Sequence, residues 1–128
     1  MSSTAAETLS IMKLLEAARA GLVRLDPVAA QAAWQAGGVL VDIRPGPQRA
    51  EEGEVPGALV VERNVLEWRF DPASDARLPV ASYDLQVIVL CQEGYTSSLA
   101  AAAIQDLGVF RATDVIGGFA AWRECLPV

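Results

Sequence analysis

Cys91 stands between an apolar run, Gln86-Val87-Ile88-Val89-Leu90, and the polar segment Gln92-Glu93-Gly94-Tyr95-Thr96, after which an alanine-rich helical pattern begins at Ser97. A strand that ends on a cysteine, followed by a short loop and a helix start, suits the formation of a thiolate. The first N–H groups of a helix lack intrahelical acceptors and carry a partial positive charge, and both favour an anionic sulfur over a neutral thiol. An unassisted thiol is only a few per cent ionised at neutral pH, so such help matters to a nucleophile.

The rest of the composition narrows the chemistry. Histidine is absent, so a Ser-His-Asp triad, a Cys-His pair or a histidine metal site cannot be built from this chain alone. Cys91 and Cys125 are the only cysteines, too few for a disulfide framework or a four-thiolate zinc site. The 128 residues, 52% of them hydrophobic, are enough for one domain with a core. A net charge of −6 argues against a surface built for nucleic-acid phosphates. Lys13 is the only lysine, so any anion recognition falls to arginines. Glu7 and Glu16 interrupt the N-terminal apolar residues, and neither a signal peptide nor a membrane span is expected. A cytoplasmic protein in a reducing compartment is the expectation.

The elements that must position Cys91 follow from periodicity and turn chemistry. Residues 5–20 place Leu9, Met12, Leu15 and Ala18 at helical spacing. Residues 22–25 form a short strand candidate, and Asp26-Pro27 supplies an N-cap and a first-turn proline for a helix to about Gln35. Val39-Leu40-Val41-Asp42-Ile43 reads as a buried strand closed by Arg44-Pro45-Gly46-Pro47. Residues 48–54 form one helical turn or a loop, residues 58–61 a strand, and residues 64–70 a short helix. After a Pro/Asp/Ser-rich connection come the strand before Cys91, a helix over residues 97–107, a strand over 113–116 and a final helix over 119–124. Alternating strands and helices with apolar runs predict an α/β fold, a parallel sheet of about five strands covered by helices on both faces. Ligands of such sheets bind at the carboxyl ends of strands, where Cys91 lies.

Four motifs in order, each after its expected element, resemble a rhodanese-like domain, the sulfurtransferase fold with three layers. They are Val41-Asp42-Ile43-Arg44, Gly53-Glu54-Val55-Pro56-Gly57-Ala58, the segment from Cys91 to Thr96, and Gly117-Gly118-Phe119-Ala120-Ala121-Trp122. The resemblance covers residues 22–128, leaving residues 1–21 as a helical extension. It implies that Cys91 takes a sulfane sulfur from a small donor, thiosulfate or similar, holds it as a persulfide, and passes it to cyanide or another thiol. A sulfur-relay protein is a further implied partner, and neither cofactor nor metal is implied. The backbone amides of Gln92, Glu93, Gly94, Tyr95 and Thr96 would curl around the sulfur as a nest, with Gly94 permitting a left-handed backbone. Such domains commonly carry histidine where Glu54 stands, so no role is carried over to that position.

Other residues have structural readings beside functional ones. Arg44 and Arg63 are candidates for holding an anionic donor, yet strand-end arginines are more often ion-pair partners, here of Asp42 or Glu62. Glu93 inside the loop disfavours a dianion by like-charge repulsion unless its carboxylate turns to solvent. Tyr95 either lines the pocket mouth or packs over the helix start. Cys125 reads as a bystander, and Trp34, Trp68 and Trp122 as core or interface packing. A persulfide carrier and a non-catalytic rhodanese-like binding module are the alternative functions. A cysteine-dependent phosphatase or arsenate reductase ranks behind them, because such enzymes place an arginine at the seventh position from the cysteine, where this chain has Ser97.

Overall fold

The computed structural model of the chain describes residues 8–128. The helix expected over residues 5–20 settles on Ile11–Ala20 (α1). Ser10 fixes its start, the hydroxyl accepting from the Lys13 amide at 3.2 Å, while residues 5–7 of the expectation lie outside the described residues. Asp26 and Pro27 act as their order requires. The Asp26 carboxylate accepts from the Ala29 amide at 2.8 Å, and Pro27 opens the helix Pro27–Gln35 (α2) at a position whose N–H needs no partner.

The chain then runs through Val39–Asp42 (β1), Gly46–Glu52 (α3), Leu59–Val60 (β2), a 3-10 turn at Arg63–Val65, Leu66–Phe70 (α4), Val87–Leu90 (β3), Thr96–Asp106 (α5), Thr113–Asp114 (β4) and Gly118–Cys125 (α6). The four strands form one parallel sheet in the order β2-β1-β3-β4. Val41 is in register with Leu59 on one side and Val89 on the other, which makes β1 and β3 the central strands. Alternation along them sends side chains to two cores. Val41, Val87, Val89 and Cys91 pack with Leu66, Phe70, Ala100, Ala101 and Ile104 on the α4 and α5 face. Leu40, Ile88 and Leu90 pack with Ala30, Phe119 and Trp122 on the α2 and α6 face. Both faces being covered explains why β3 is a continuous apolar run.

The sheet has four strands where about five were expected. Residues 22–25 contribute a single bridge, Leu25 to Val115, with Leu25 N donating to Asp114 O at 3.1 Å and Ile116 N donating to Leu25 O at 2.8 Å. Pairing stops there because Asp26 begins a helix at once and Pro27 has no N–H to continue a ladder. Trp34 and Trp122 meet at 6.3 Å between ring centroids, whereas Trp68 is 60% exposed and belongs to no core. Among the described residues no helix is long and apolar enough to cross a membrane.

The N-terminal helix is docked. α1 packs against α5 with Leu15 buried, so the segment read from sequence as an extension contributes to the body of the fold. Leu15→Ala is therefore expected to lower the unfolding free energy by about 2 kcal/mol in urea denaturation. A helix lying free of the body would give no change.

Candidate active site

β1 and β3 end side by side, and their carboxyl ends make the two walls of a cavity of about 200 Å³. Ile43, Arg44, Pro45 and Gln48 line one wall, and Cys91, Gln92, Glu93, Tyr95 and Thr96 the other. Alternation along β3 turns Cys91 toward the α5 side, where it is 7% exposed yet borders the cavity. Its sulfur accepts from the amides of Gly94 and Ser97, each at 3.3 Å. No side chain caps α5, so Sγ takes the place an N-cap oxygen would hold. An acceptor in that place gains strength when it carries negative charge.

The cradle differs from the run of amides expected over residues 92–96. Of that run Gly94 alone donates to Sγ, and the second donor, Ser97, lies one residue beyond it. The reason is helical geometry: α5 begins at Thr96, and its early N–H groups point back along the helix axis to the sulfur. The loop carbonyls point elsewhere. Cys91 O accepts from Phe119 N at 2.8 Å and Gln92 O from Ala120 N at 3.0 Å, both at the start of α6. Gly118 allows that approach, since a Cβ there would lie 2.5 Å from Cys91 O. Gly94 has φ +86°, and a Cβ on it would lie 2.7 Å from Gly117 N.

Beneath the loop lies a network that sequence reasoning missed. Asp114 is fully buried and accepts from Ser97 Oγ at 2.7 Å, Ser98 Oγ at 2.8 Å and Arg24 Nε at 2.8 Å. Arg24 Nη2 and Arg19 Nη2 both donate to Gly94 O, at 2.9 and 2.7 Å. A carboxylate inside the strand pattern Thr113-Asp114-Val115-Ile116 is the one sequence signal of this network, because a buried acid needs cationic or hydroxyl partners. Nothing in the pattern around Arg19 or Arg24 marks either residue.

The two candidate arginines part company. Arg44 lines the cavity but is itself buried, with Nε 3.0 Å and Nη2 2.7 Å from the two oxygens of Asp42, Nη1 3.0 Å from Gln92 Oε1 and Nη2 2.8 Å from Gly53 O. The Phe119 ring lies 4.3 Å from its guanidinium carbon. Its charge is met by Asp42 before any ligand arrives. Arg63 pairs with Glu67, not Glu62, and is not among the cavity's lining residues. Glu93 and Tyr95 are exposed at the rim, and Arg19 lies 5.5 Å from the Tyr95 ring centroid. Glu54 is an exposed partner of Arg49, and Cys125 is an exposed free thiol. Ser97 occupies the position where a phosphatase would carry its arginine, and its hydroxyl is bound to Asp114.

The fold and site define an α/β domain whose parallel sheet, covered on both faces, presents a cysteine to backbone amides at the end of a central strand. The rhodanese-like domain model matches residues 26–125, and the chain belongs to that family. It is 34% identical over 105 residues to the thiosulfate sulfurtransferase GlpE of Pseudomonas fluorescens (strain SBW25), covering 81% of this chain and 87% of that protein. The GlpE of Pseudomonas syringae pv. syringae (strain B728a) is 33% identical over 104 residues, with 81% and 90% covered. Among solved structures, a protein of unknown function from Rhodopseudomonas palustris CGA009, described as a possible tyrosine phosphatase, superposes with a TM-score of 0.84. It is 32% identical and is matched over 100% of this chain and 98% of its own. The human single-domain sulfurtransferase TSTD1 shares the fold, with a TM-score of 0.65, 22% identity and coverage of 84% and 98%.

Gly94→Ala is expected to cut sulfur transfer by about a hundredfold, since the left-handed backbone and the close Gly117 amide both oppose a Cβ beside the cradle. The same change should lower the unfolding free energy by about 1–3 kcal/mol. Steady-state rates and denaturant melts check both.

Proposed function

We propose that the protein moves a sulfane sulfur from a small donor to a thiophilic acceptor through a persulfide on Cys91. The chain is a rhodanese-type sulfurtransferase, as its family and its curated relatives indicate. The observation that carries the mechanism is the Cys91 sulfur bonded by two backbone amides in a chain without histidine. With thiosulfate as donor, the thiolate attacks the sulfane sulfur, the donor's S–S bond breaks, and sulfite leaves with the electron pair. A new S–S bond makes the persulfide anion on Cys91. Cyanide or a thiolate then attacks the outer sulfur and Cys91 leaves as thiolate. No proton transfer is needed in either step with anionic partners, so no general base is needed.

The loop amides hold the sulfur while the charge moves outward by one atom, which is electrostatic stabilisation by fixed dipoles. A small donor and a thiol or cyanide acceptor fit a cavity of this size, and a sulfur-relay protein reaches the same sulfur through the open side at Tyr95. Two free cysteines accord with a reducing, cytoplasmic setting. Phosphoryl transfer is disfavoured because Arg44, the one basic residue among the lining residues described, is already paired with Asp42.

Intact-protein mass spectrometry after incubation with thiosulfate or polysulfide is expected to show one added sulfur atom that cyanide removes. The adduct should be absent in Cys91→Ser, and its persistence there would sink this mechanism. Hydrolysis of an aryl phosphate by Cys91 would favour the phosphatase instead. Glu93, at the rim and without an ion-pair partner among the described residues, opposes a dianionic donor. Glu93→Gln is expected to raise kcat/KM for thiosulfate by about three- to tenfold at low salt, with the gain shrinking as ionic strength rises.

A further inference from the structure

Two arginines from the segment that precedes the family-matched residues 26–125 reach into the active-site loop. Arg19 closes α1 and Arg24 precedes the Leu25 bridge, yet both donate to one backbone atom, Gly94 O, at 2.7 and 2.9 Å. They are joined underneath as well. Arg19 Nε donates to Ser98 Oγ at 3.0 Å, Ser98 Oγ donates to Asp114 at 2.8 Å, and Asp114 is paired with Arg24. The Arg24 side chain is 17% exposed and Asp114 fully buried, so these bonds are little weakened by solvent.

A trans peptide holds its N–H antiparallel to its C=O, and no cis peptide occurs among the described residues. An oxygen fixed by two guanidinium groups therefore fixes the Tyr95 N–H pointing away from them. That peptide unit lies in the chain between the two whose N–H groups, those of Gly94 and Ser97, donate to the Cys91 sulfur, so fixing it restrains the turn that aims both. The carbonyls of Cys91 and Gln92 are held by the start of α6, and that of Tyr95 by the Ser98 amide. Gly94 O accepts from the two arginines at 2.7 and 2.9 Å, with Ser98 Oγ of α5 farther off at 3.5 Å. We propose that Arg19 and Arg24 are positioning residues for the sulfur-transfer reaction: by clamping the Gly94 carbonyl they orient the amides that stabilise the Cys91 thiolate and persulfide. The inference rests on the sulfur-transfer reading above and assigns to the N-terminal helix a role in catalysis.

Arg19→Gln removes one charged anchor and leaves the Arg24–Asp114 pair in place. With thiosulfate and cyanide, kcat is expected to fall about tenfold while KM for thiosulfate stays within about twofold. The persulfide loaded from polysulfide should pass its outer sulfur to a fixed concentration of cyanide, which leaves as thiocyanate, about tenfold more slowly, and Arg19→Lys should recover much of both effects. Circular dichroism and a thermal melt establish that the variants are folded. A folded Arg19→Gln with unchanged kcat and an unchanged rate of sulfur transfer to cyanide overturns the proposal. So does a change confined to KM, which is what the loss of a steering charge produces. Should Arg19→Gln fail to fold, Arg24→Lys takes its place, because it keeps a cation beside Asp114 and loses the fork that spans to Gly94. An unchanged kcat in that variant overturns the proposal equally. Cys91→Ser separates the two levels: activity surviving in it defeats the sulfur-transfer reading, whereas a dead Cys91→Ser beside an unaffected Arg19→Gln defeats the clamp alone.

Discussion

The site depends on anchoring the carbonyls of the loop whose neighbouring amides turn toward the Cys91 sulfur. The loop after β3 must turn N–H groups toward a sulfur, and it can do so only if the oxygen atoms of the same segment are satisfied on the other side. The start of α6 accepts that task for Cys91 and Gln92, and guanidinium groups accept it for Gly94. Sγ in turn fills the uncapped start of α5. Each unpaired group of one element is the partner of another, so the cradle is pre-formed before any donor binds. The glycines follow from this arrangement. Gly94 and Gly118 stand where the loop and the turn before α6 pass too closely for a Cβ.

Buried charge supports the same geometry. Asp42 with Arg44 and Asp114 with Arg24 are two ion pairs at the carboxyl ends of β1 and β4, the strands that flank β3 on either side of Cys91. Burying a charge is unfavourable unless its partner and remaining hydrogen bonds are supplied, and here they come from loop atoms and from Ser97 and Ser98 at the start of α5. Arg44 reaches Gln92 and Gly53, and Arg24 reaches Gly94. The requirement to satisfy these charges thus fixes the loops around the cysteine. Either partner removed alone would leave an uncompensated ion beside the active site.

The central strands, the Asp26-Pro27 helix start and the placement of Cys91 at a strand end before a helix were legible in the sequence because each follows from local pattern. Apolar runs mark strands buried on both faces, and a cap with proline marks a helix start. Boundaries set by single atoms were less so. Residues 22–25 have the composition of a strand, and only the helix beginning at Asp26 cuts their pairing to one bridge. The site showed the same division. Arg63 looked as eligible as Arg44, and tertiary placement alone sends it to Glu67. Arg19 and Arg24 were invisible because their partner is a backbone oxygen some seventy residues away, a contact that carries no residue-type signature.

The deployment of arginine also separates this site from one built for phosphoryl transfer. A phosphoryl-transfer loop aims a free bidentate fork at the substrate's equatorial oxygens, and its charge is worth most when no protein carboxylate competes for it. Here Arg24 and Arg44 face buried aspartates, Arg19 faces a carbonyl and a serine, and the acid Glu93 lies at the rim. The cationic charge is used to shape the protein, and the substrate meets mainly amide dipoles. Such dipoles can hold a singly charged sulfur as it moves from thiolate to persulfide, because the charge on the enzyme is the same before and after transfer. A trianionic transition state needs compensating charge that this loop has already committed to its own backbone.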